Sequence, residues 1–190
     1  MTRMSEVCTT MNMERKKGFT LIELLITIVV VSILLATGVP SIMQMVKNNR
    51  VTTQANKLVI AIQLARNESV KRGTRSTICA ANSTLDNCSG NTDWATGWIV
   101  FSNLDDDTTA DTGTDACLDT EDCLMRASEG ISKSTLTGTD SAIHFLPTGL
   151  TDNGPVTFTL KAYDCEYDQE RSIIVTLQGH TTIAQQACTP

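Results

Sequence analysis

The sequence predicts an α+β protein in which one long N-terminal helix, transmembrane in its first half and amphipathic in its second, packs on antiparallel β-sheet. Three observations carry this. Residues 19–39 form a nearly unbroken apolar run. Residues 41–72 contain neither proline nor glycine and repeat apolar or small side chains in steps of three and four. From residue 74 onward the chain breaks into short runs rich in Thr, Val, Ile and aromatics, separated by Gly, Asn, Asp and Pro.

The apolar run comes first. A helix rises about 1.5 Å per residue and a bilayer core is about 30 Å thick, so Phe19 to Val39 is long enough to span it. Arg15, Lys16 and Lys17 stand on its N-terminal side. By the bias of positive charge toward the cytoplasm, residues 1–18 stay inside and everything after the span is exported. Glu23 is the one acid in the run. A carboxylate at the bilayer centre costs about 2.5–3.5 kcal/mol, so it is expected near an edge or beside a positive partner. Two plainer readings compete: a secretory signal peptide cut at Ala36-Thr37-Gly38, and a single-pass anchor whose Glu23 snorkels to the interface.

Beyond the span (19–40), Gly38 and Pro40 predict a kink, since proline removes one helical hydrogen bond. The helix is expected to resume as an amphipathic half, 41–73. Val51, Ala55, Leu58, Val59, Ile62, Ala65, Ser69 and Val70 mark its inner face, and Lys47, Arg50, Lys57, Arg66 and Glu68 its outer one. Lys71 and Arg72 suit the negative end of the helix dipole, and Gly73 supplies the stop. A continuous helix from Phe19 to Arg72 would be about 80 Å long.

The exported domain, 74–190, is read as seven strands: 74–81, 97–103, 123–127, 142–146, 156–162, 172–177 and 180–184. Alternation is clearest at Val156-Thr157-Phe158-Thr159-Leu160, which directs every second side chain at the helix.

Charge and cysteine usage narrow the function. The 190-residue chain carries a formal charge of −6. Loss of residues 1–18 removes four bases and two acids and leaves −8, which disfavours general affinity for nucleic acid. Cys8 lies on the reducing side; Cys79, Cys88, Cys117, Cys123, Cys165 and Cys188 are exported. Six cysteines in an oxidising compartment read as disulfides with 15 possible pairings. The nearest-neighbour set is expected: Cys79 with Cys88, Cys117 with Cys123, and Cys165 with Cys188. A metal site fits poorly, because no C-x2-C pair occurs and His144 and His180 are far apart. The acidic loop 105–122 admits calcium, but an EF-hand register from Asp105 places Ala110 and Ala116 where glycine and glutamate belong. A solvated, disulfide-pinched loop is the simpler reading. No nucleophile elbow, phosphate-binding glycine loop or His-Glu-x-x-His occurs, so neither an enzyme nor a cofactor is expected.

The run Lys17-Gly18-Phe19-Thr20-Leu21-Ile22-Glu23-Leu24 resembles the class III signal of type IV pilins and type II secretion pseudopilins. The resemblance implies that a prepilin peptidase cuts between Gly18 and Phe19, and that Phe19 becomes N-methylated. It also implies that Glu23 pairs with the new amino terminus of a neighbouring subunit during assembly. Further on, Gly97-Trp98-Ile99-Val100-Phe101-Ser102-Asn103, Ala162-Tyr163-Asp164-Cys165 and Arg171-Ser172-Ile173-Ile174-Val175 resemble the GspH and FimT/FimU branch, the H-type pseudopilins and related minor pilins. The expectation is a pilin fold and a minor pilin that helps initiate or cap a type IV pilus. Its partners would be other major and minor pilins or pseudopilins, prepilin peptidase and the inner membrane, with the C-terminal domain in the periplasm. An H-type pseudopilin of a type II secretion system, or a DNA-uptake or adhesive tip pilin, is the alternative. Where DNA-binding members carry a basic turn this chain has Gly179-His180-Thr181-Thr182, and Ser172 to Pro190 holds no Lys, Arg, Asp or Glu; those contacts do not carry over.

Overall fold

A computed structural model describes residues 18–103 and 122–189, the side chains of Thr37 and Asn103 excepted. The leader before Gly18, Cys117 and nearly all of the acidic loop lie outside the described residues. The chain divides into two compact units, Met1–Ile42 and Met43–Pro190, and helix α1, Leu21–Arg72, contributes to both.

In the first unit α1 is exposed at every residue from Leu21 to Ala36. It is long and apolar enough to cross a membrane, and among the described residues nothing buries its most apolar window. That pattern separates it from the central helix of a soluble core. Its hydroxyls are satisfied within the helix, Thr27 donating to the Leu24 carbonyl at 2.8 Å and Ser32 to that of Val29 at 2.7 Å, as hydrocarbon requires. Helical structure is uninterrupted through Gly38 and Pro40.

In the second unit α1 lays a stripe of small and branched residues on the sheets. Val51, Ala55, Leu58, Ala61, Ile62, Ala65 and Ser69 are buried at 1% exposure or less, close to the predicted face. Val59 is only partly buried and Val70 is exposed. Arg66 and Glu68, read from the sequence as outward, are half-buried: Arg66 Nε donates to the Gly149 carbonyl at 3.1 Å, and Glu68 is ion-paired within the helix.

Eight strands form two antiparallel four-stranded sheets. The first contains β1 (Arg75–Ala80), β2 (Gly97–Asn103), β3 (Cys123–Glu129) and β5 (Ala142–Phe145), in the order β3-β2-β1-β5. The second contains β4 (Ser134–Gly138), β6 (Val156–Ala162), β7 (Glu170–Val175) and β8 (Thr181–Gln186), in the order β4-β6-β7-β8. One cluster joins the stripe of α1 to Ile78, Val100, Ile143 and Phe145 of the first sheet and to Phe158, Leu160 and Ile173 of the second. Val156, Phe158 and Leu160 are the inward set of β6. Trp94 meets Phe158 edge-on, with ring centroids 4.8 Å apart, and donates its indole N–H to the Asp140 carbonyl at 2.9 Å. On the other face of the first sheet, Cys79, Ala81, Ile99 and Phe101 form a second small core.

Strand β4 is absent from the sequence reading. Ser134-Thr-Leu136-Thr-Gly138 has one large apolar residue and sits among turn formers, so its pattern is that of a loop. Pairing with β6, Leu136 opposite Leu160, makes it a strand. Strand β7 begins two residues before its predicted start, because Glu170 and Arg171 are buried instead of solvated. Glu170 accepts from the backbone N–H and hydroxyl of Thr189 at 3.0 and 2.9 Å, and Arg171 donates to the Asp168 carbonyl at 2.7 Å and to Asn48.

The core assignment predicts a sharp contrast within α1. Leu58→Ala should lower stability by about 2–5 kcal/mol, whereas Ile60→Ala, at a position 56% exposed, should change it by under about 0.5 kcal/mol. Urea unfolding of the full chain in detergent, followed by fluorescence of the buried Trp94 and Trp98, measures both.

Candidate functional site

The N-terminal end of α1 is set by a reciprocal pair. Thr20 precedes the first helical residue, and its hydroxyl accepts from the Glu23 backbone N–H at 3.2 Å. The Glu23 carboxylate in turn accepts from the Thr20 backbone N–H and hydroxyl, each at 3.2 Å. This Thr-x-x-Glu arrangement is a capping box, which satisfies amides that a helix start leaves without partners. It also places a negative charge at the positive end of the helix dipole. Sequence reasoning assigned Glu23 a role between chains and missed this one within the chain; the spacing Thr20-x-x-Glu23 was the available signal.

Gly18 and Phe19 precede the cap. Phe19 is 86% exposed, and a Cβ built on Gly18 would meet nothing within 4 Å. The segment is therefore sterically open. The carboxylate of Glu23 is folded back onto the amide one residue after the Phe19 nitrogen, so it lies on the side of the helix start where cleavage after Gly18 would create an amine.

The cysteines act elsewhere. Cys79 and Cys88 are joined with an S–S distance of 2.01 Å. Their bridge closes a loop in which Asn82 and Thr84 both donate to Asp86 at 2.7 Å. Cys165 is joined to Cys188 across 23 residues and ties the segment after β8 to the β6–β7 connection. Closing a loop of that size is worth about 3 kcal/mol in chain-entropy terms. Cys123 is disulfide-bonded as well; its expected pairing with Cys117 falls outside the described residues, as does the calcium reading of the acidic loop. Among the described residues no group of His, Cys, Asp or Glu is placed to hold a metal ion.

The basic residues in the last turn of α1 and just after it are engaged. Lys71 and Arg72 meet Glu68 at 3.7 and 3.0 Å, and Arg75 pairs with Asp152. His180 is exposed at the turn before β8. The other histidine, His144, faces Thr77, its Nδ1 lying 2.9 Å from the hydroxyl. Burial holds its pKa below the ordinary value, and the nearby Arg75 adds to this against the smaller opposing pull of Asp140 and Asp152.

A histidine whose folded pKa is depressed makes the unfolded chain the better proton acceptor, so stability falls with pH below about 6.5 and the loss levels off below the folded pKa. The depressed carboxyl of Asp86 acts only at and below the ordinary carboxylate range and does not overlap this window. Chemical unfolding of the wild-type chain between pH 7.5 and 5 should therefore show declining stability, and His144→Gln should flatten that decline; an unchanged slope in the variant would assign it to other groups.

Residues 54–179 match the family described as Type II transport protein GspH, and residues 13–39 match the prokaryotic N-terminal methylation motif. Two crystal forms of the type IV minor pilin FimU of Pseudomonas aeruginosa have a similar fold. One is 17% identical with a TM-score of 0.53, over 74% of this chain and 96% of that one. The other is 18% identical with a TM-score of 0.52, over 73% and 99%. The minor pseudopilin EpsH from the type 2 secretion system of Vibrio cholerae is 12% identical, with a TM-score of 0.43 over 73% and 97% of the two chains. No curated protein matches the chain.

Proposed function

The chain belongs to the type II transport protein GspH family, and from that premise we propose that it is a minor type IV pilin of the FimU or FimT kind. In this reading it is a non-enzymatic subunit that helps initiate or cap a pilus assembled at the inner membrane. The observation that carries it is the order of features along one chain: the methylation motif over 13–39, an apolar helix half that the protein leaves uncovered, and a family match over the domain that follows.

The mechanism follows from charge and solvent. Before assembly, α1 holds the subunit in the bilayer with the domain on the periplasmic side. Prepilin peptidase cleaves after Gly18, and the amine of Phe19, once methylated, remains positive. In a filament that amine and the Glu23 carboxylate of a neighbour relieve each other, which sets axial register while helix halves bundle and replace lipid. Major and other minor pilins are the partners. Gly38 and Pro40 supply local give in α1 during this exchange. The family's description as a type II transport protein favours a second reading, an H-type pseudopilin of a type II secretion system; co-purifying subunits, pilus or secretion proteins, distinguish the two.

Two measurements test the proposal. Mass spectrometry of the native protein should find Phe19 as its methylated first residue; a chain that retains Gly18, or begins after Gly38, contradicts it. Glu23→Gln keeps an acceptor for the capping box but removes the charge, whereas Glu23→Val removes both. If charge sets register, both variants are processed normally and both fail to enter filaments. Normal incorporation of Glu23→Gln would leave Glu23 with a capping role alone.

A further inference from the structure

We propose that the second unit carries a binding site for the phosphate headgroup of an anionic phospholipid, in a cleft that opens between the early turns of its helix and the turn after β6. The cleft has a volume of about 380 Å³ and is lined by Lys47 and Arg50 from α1, Lys133 from before β4, and Tyr163 and Asp164 from the turn. Met43 and Val46 complete its wall. That volume falls within the range of small-molecule sites.

Three elements thus bring three cations to one opening against a single carboxylate. Lys47 is held in place by donating to the Asp164 backbone carbonyl at 3.2 Å, which leaves its charge uncompensated. Among the described residues, Arg50 and Lys133 have no ion pair. Lys71, Arg72 and Arg75, by contrast, are paired with Glu68 and Asp152, so the cleft gathers three cations without acid partners among the described residues, in a chain of net charge −6.

The walls indicate a lipid. Met43 and Val46 are 60% and 51% exposed, and Tyr163 is 57% exposed. Cations beside exposed aliphatic side chains and a tyrosine make up the chemistry of a bilayer interface, where phosphate lies next to glycerol and acyl chain. In α1 the side chains lean toward the helix N-terminus, and Lys47 stands eight residues after Val39 in sequence, within the range where flanking charge acts on a span. A long polyanion would meet the acidic remainder of the domain. A single headgroup is screened from it beyond about 8 Å at physiological salt.

The inference rests on the membrane-anchored reading of the chain. Its test uses the full chain in nanodiscs of mixed phosphatidylglycerol and phosphatidylcholine, with retained lipid identified by native mass spectrometry after release into detergent. The wild type should retain phosphatidylglycerol several-fold over phosphatidylcholine. Lys47→Gln/Arg50→Gln/Lys133→Gln should reduce the ratio to parity, Lys47→Arg/Lys133→Arg should keep it, and Lys57→Gln, on an exposed turn outside the cleft, should not change it. Inorganic phosphate should compete with the lipid. No preference in the wild type, an equal preference in the triple variant, or binding of phosphate without phosphatidylglycerol overturns the proposal. Failure of the anchor itself appears separately, as extraction of the chain from membranes by alkaline carbonate.

Discussion

From Leu21 to Ala36 every side chain of α1 is exposed, nearly all are apolar, and none of the described residues covers them. Water is a poor solvent for such a surface at about 25 cal/mol per Å². Such a surface is better accommodated by an apolar medium, which lipid or other apolar helices can supply. The two media are nearly equivalent for the apolar side chains, so burial alone gives little reason to leave one for the other. What distinguishes them is the treatment of polar groups. Thr27 and Ser32 are already satisfied by carbonyls of their own helix and are indifferent to the change. The ionisable group at the helix start is not.

The second unit solves a different problem with the same helix. Small residues, Ala55, Ala61, Ala65 and Ser69, alternate with Val51, Leu58 and Ile62 along the buried face, which lets two sheets approach one helix and share a single core. Polar latches hold the lower part of that contact: Gln169 donates to Gln44 at 2.9 Å, Gln44 to Glu166 at 2.6 Å, and Arg171 reaches Asn48. The Cys165–Cys188 bridge closes the segment after β8 beside these latches. The connection between β6 and β7 is thereby fixed both to α1 and to the C-terminal segment, and the charged cleft draws its Tyr163 and Asp164 from that same fixed turn.

Much of this was legible in the sequence for a physical reason: helix periodicity and strand alternation are local properties, and α1, β2 and β6 state them plainly. The losses occur where a long-range partner decides. Leu136 alone could not announce β4, which exists because β6 offers Leu160 opposite it. Glu170 and Arg171 looked solvated because their compensating groups, Thr189 and Asn48, are distant in the chain. Val70 fitted the helical period yet is exposed, although Ser69 beside it is buried. At the candidate site the acid is visible in the sequence as an anomaly of charge, while its hydrogen bonds to Thr20 are signalled only by the spacing Thr20-x-x-Glu23.

Those hydrogen bonds bear on how the acid works. A capping interaction contributes about 1 kcal/mol, less than the roughly 2.5–3.5 kcal/mol that a carboxylate costs at a bilayer centre. Glu23 stands at the start of the apolar run, where that cost is smaller, so capping offsets part of it and a positive partner would offset more. The amine that cleavage after Gly18 would create is one candidate, since Glu23 already accepts the amide of Thr20. An ammonium held by its own chain would compete with the pairing between chains proposed above. The Glu23 carboxylate accepts the Thr20 N–H and hydroxyl on one oxygen, and among the described residues its other oxygen takes no hydrogen bond. The capping contacts thus occupy one oxygen of the carboxylate, and the pairing between chains proposed above would be compatible with them because it would use the other.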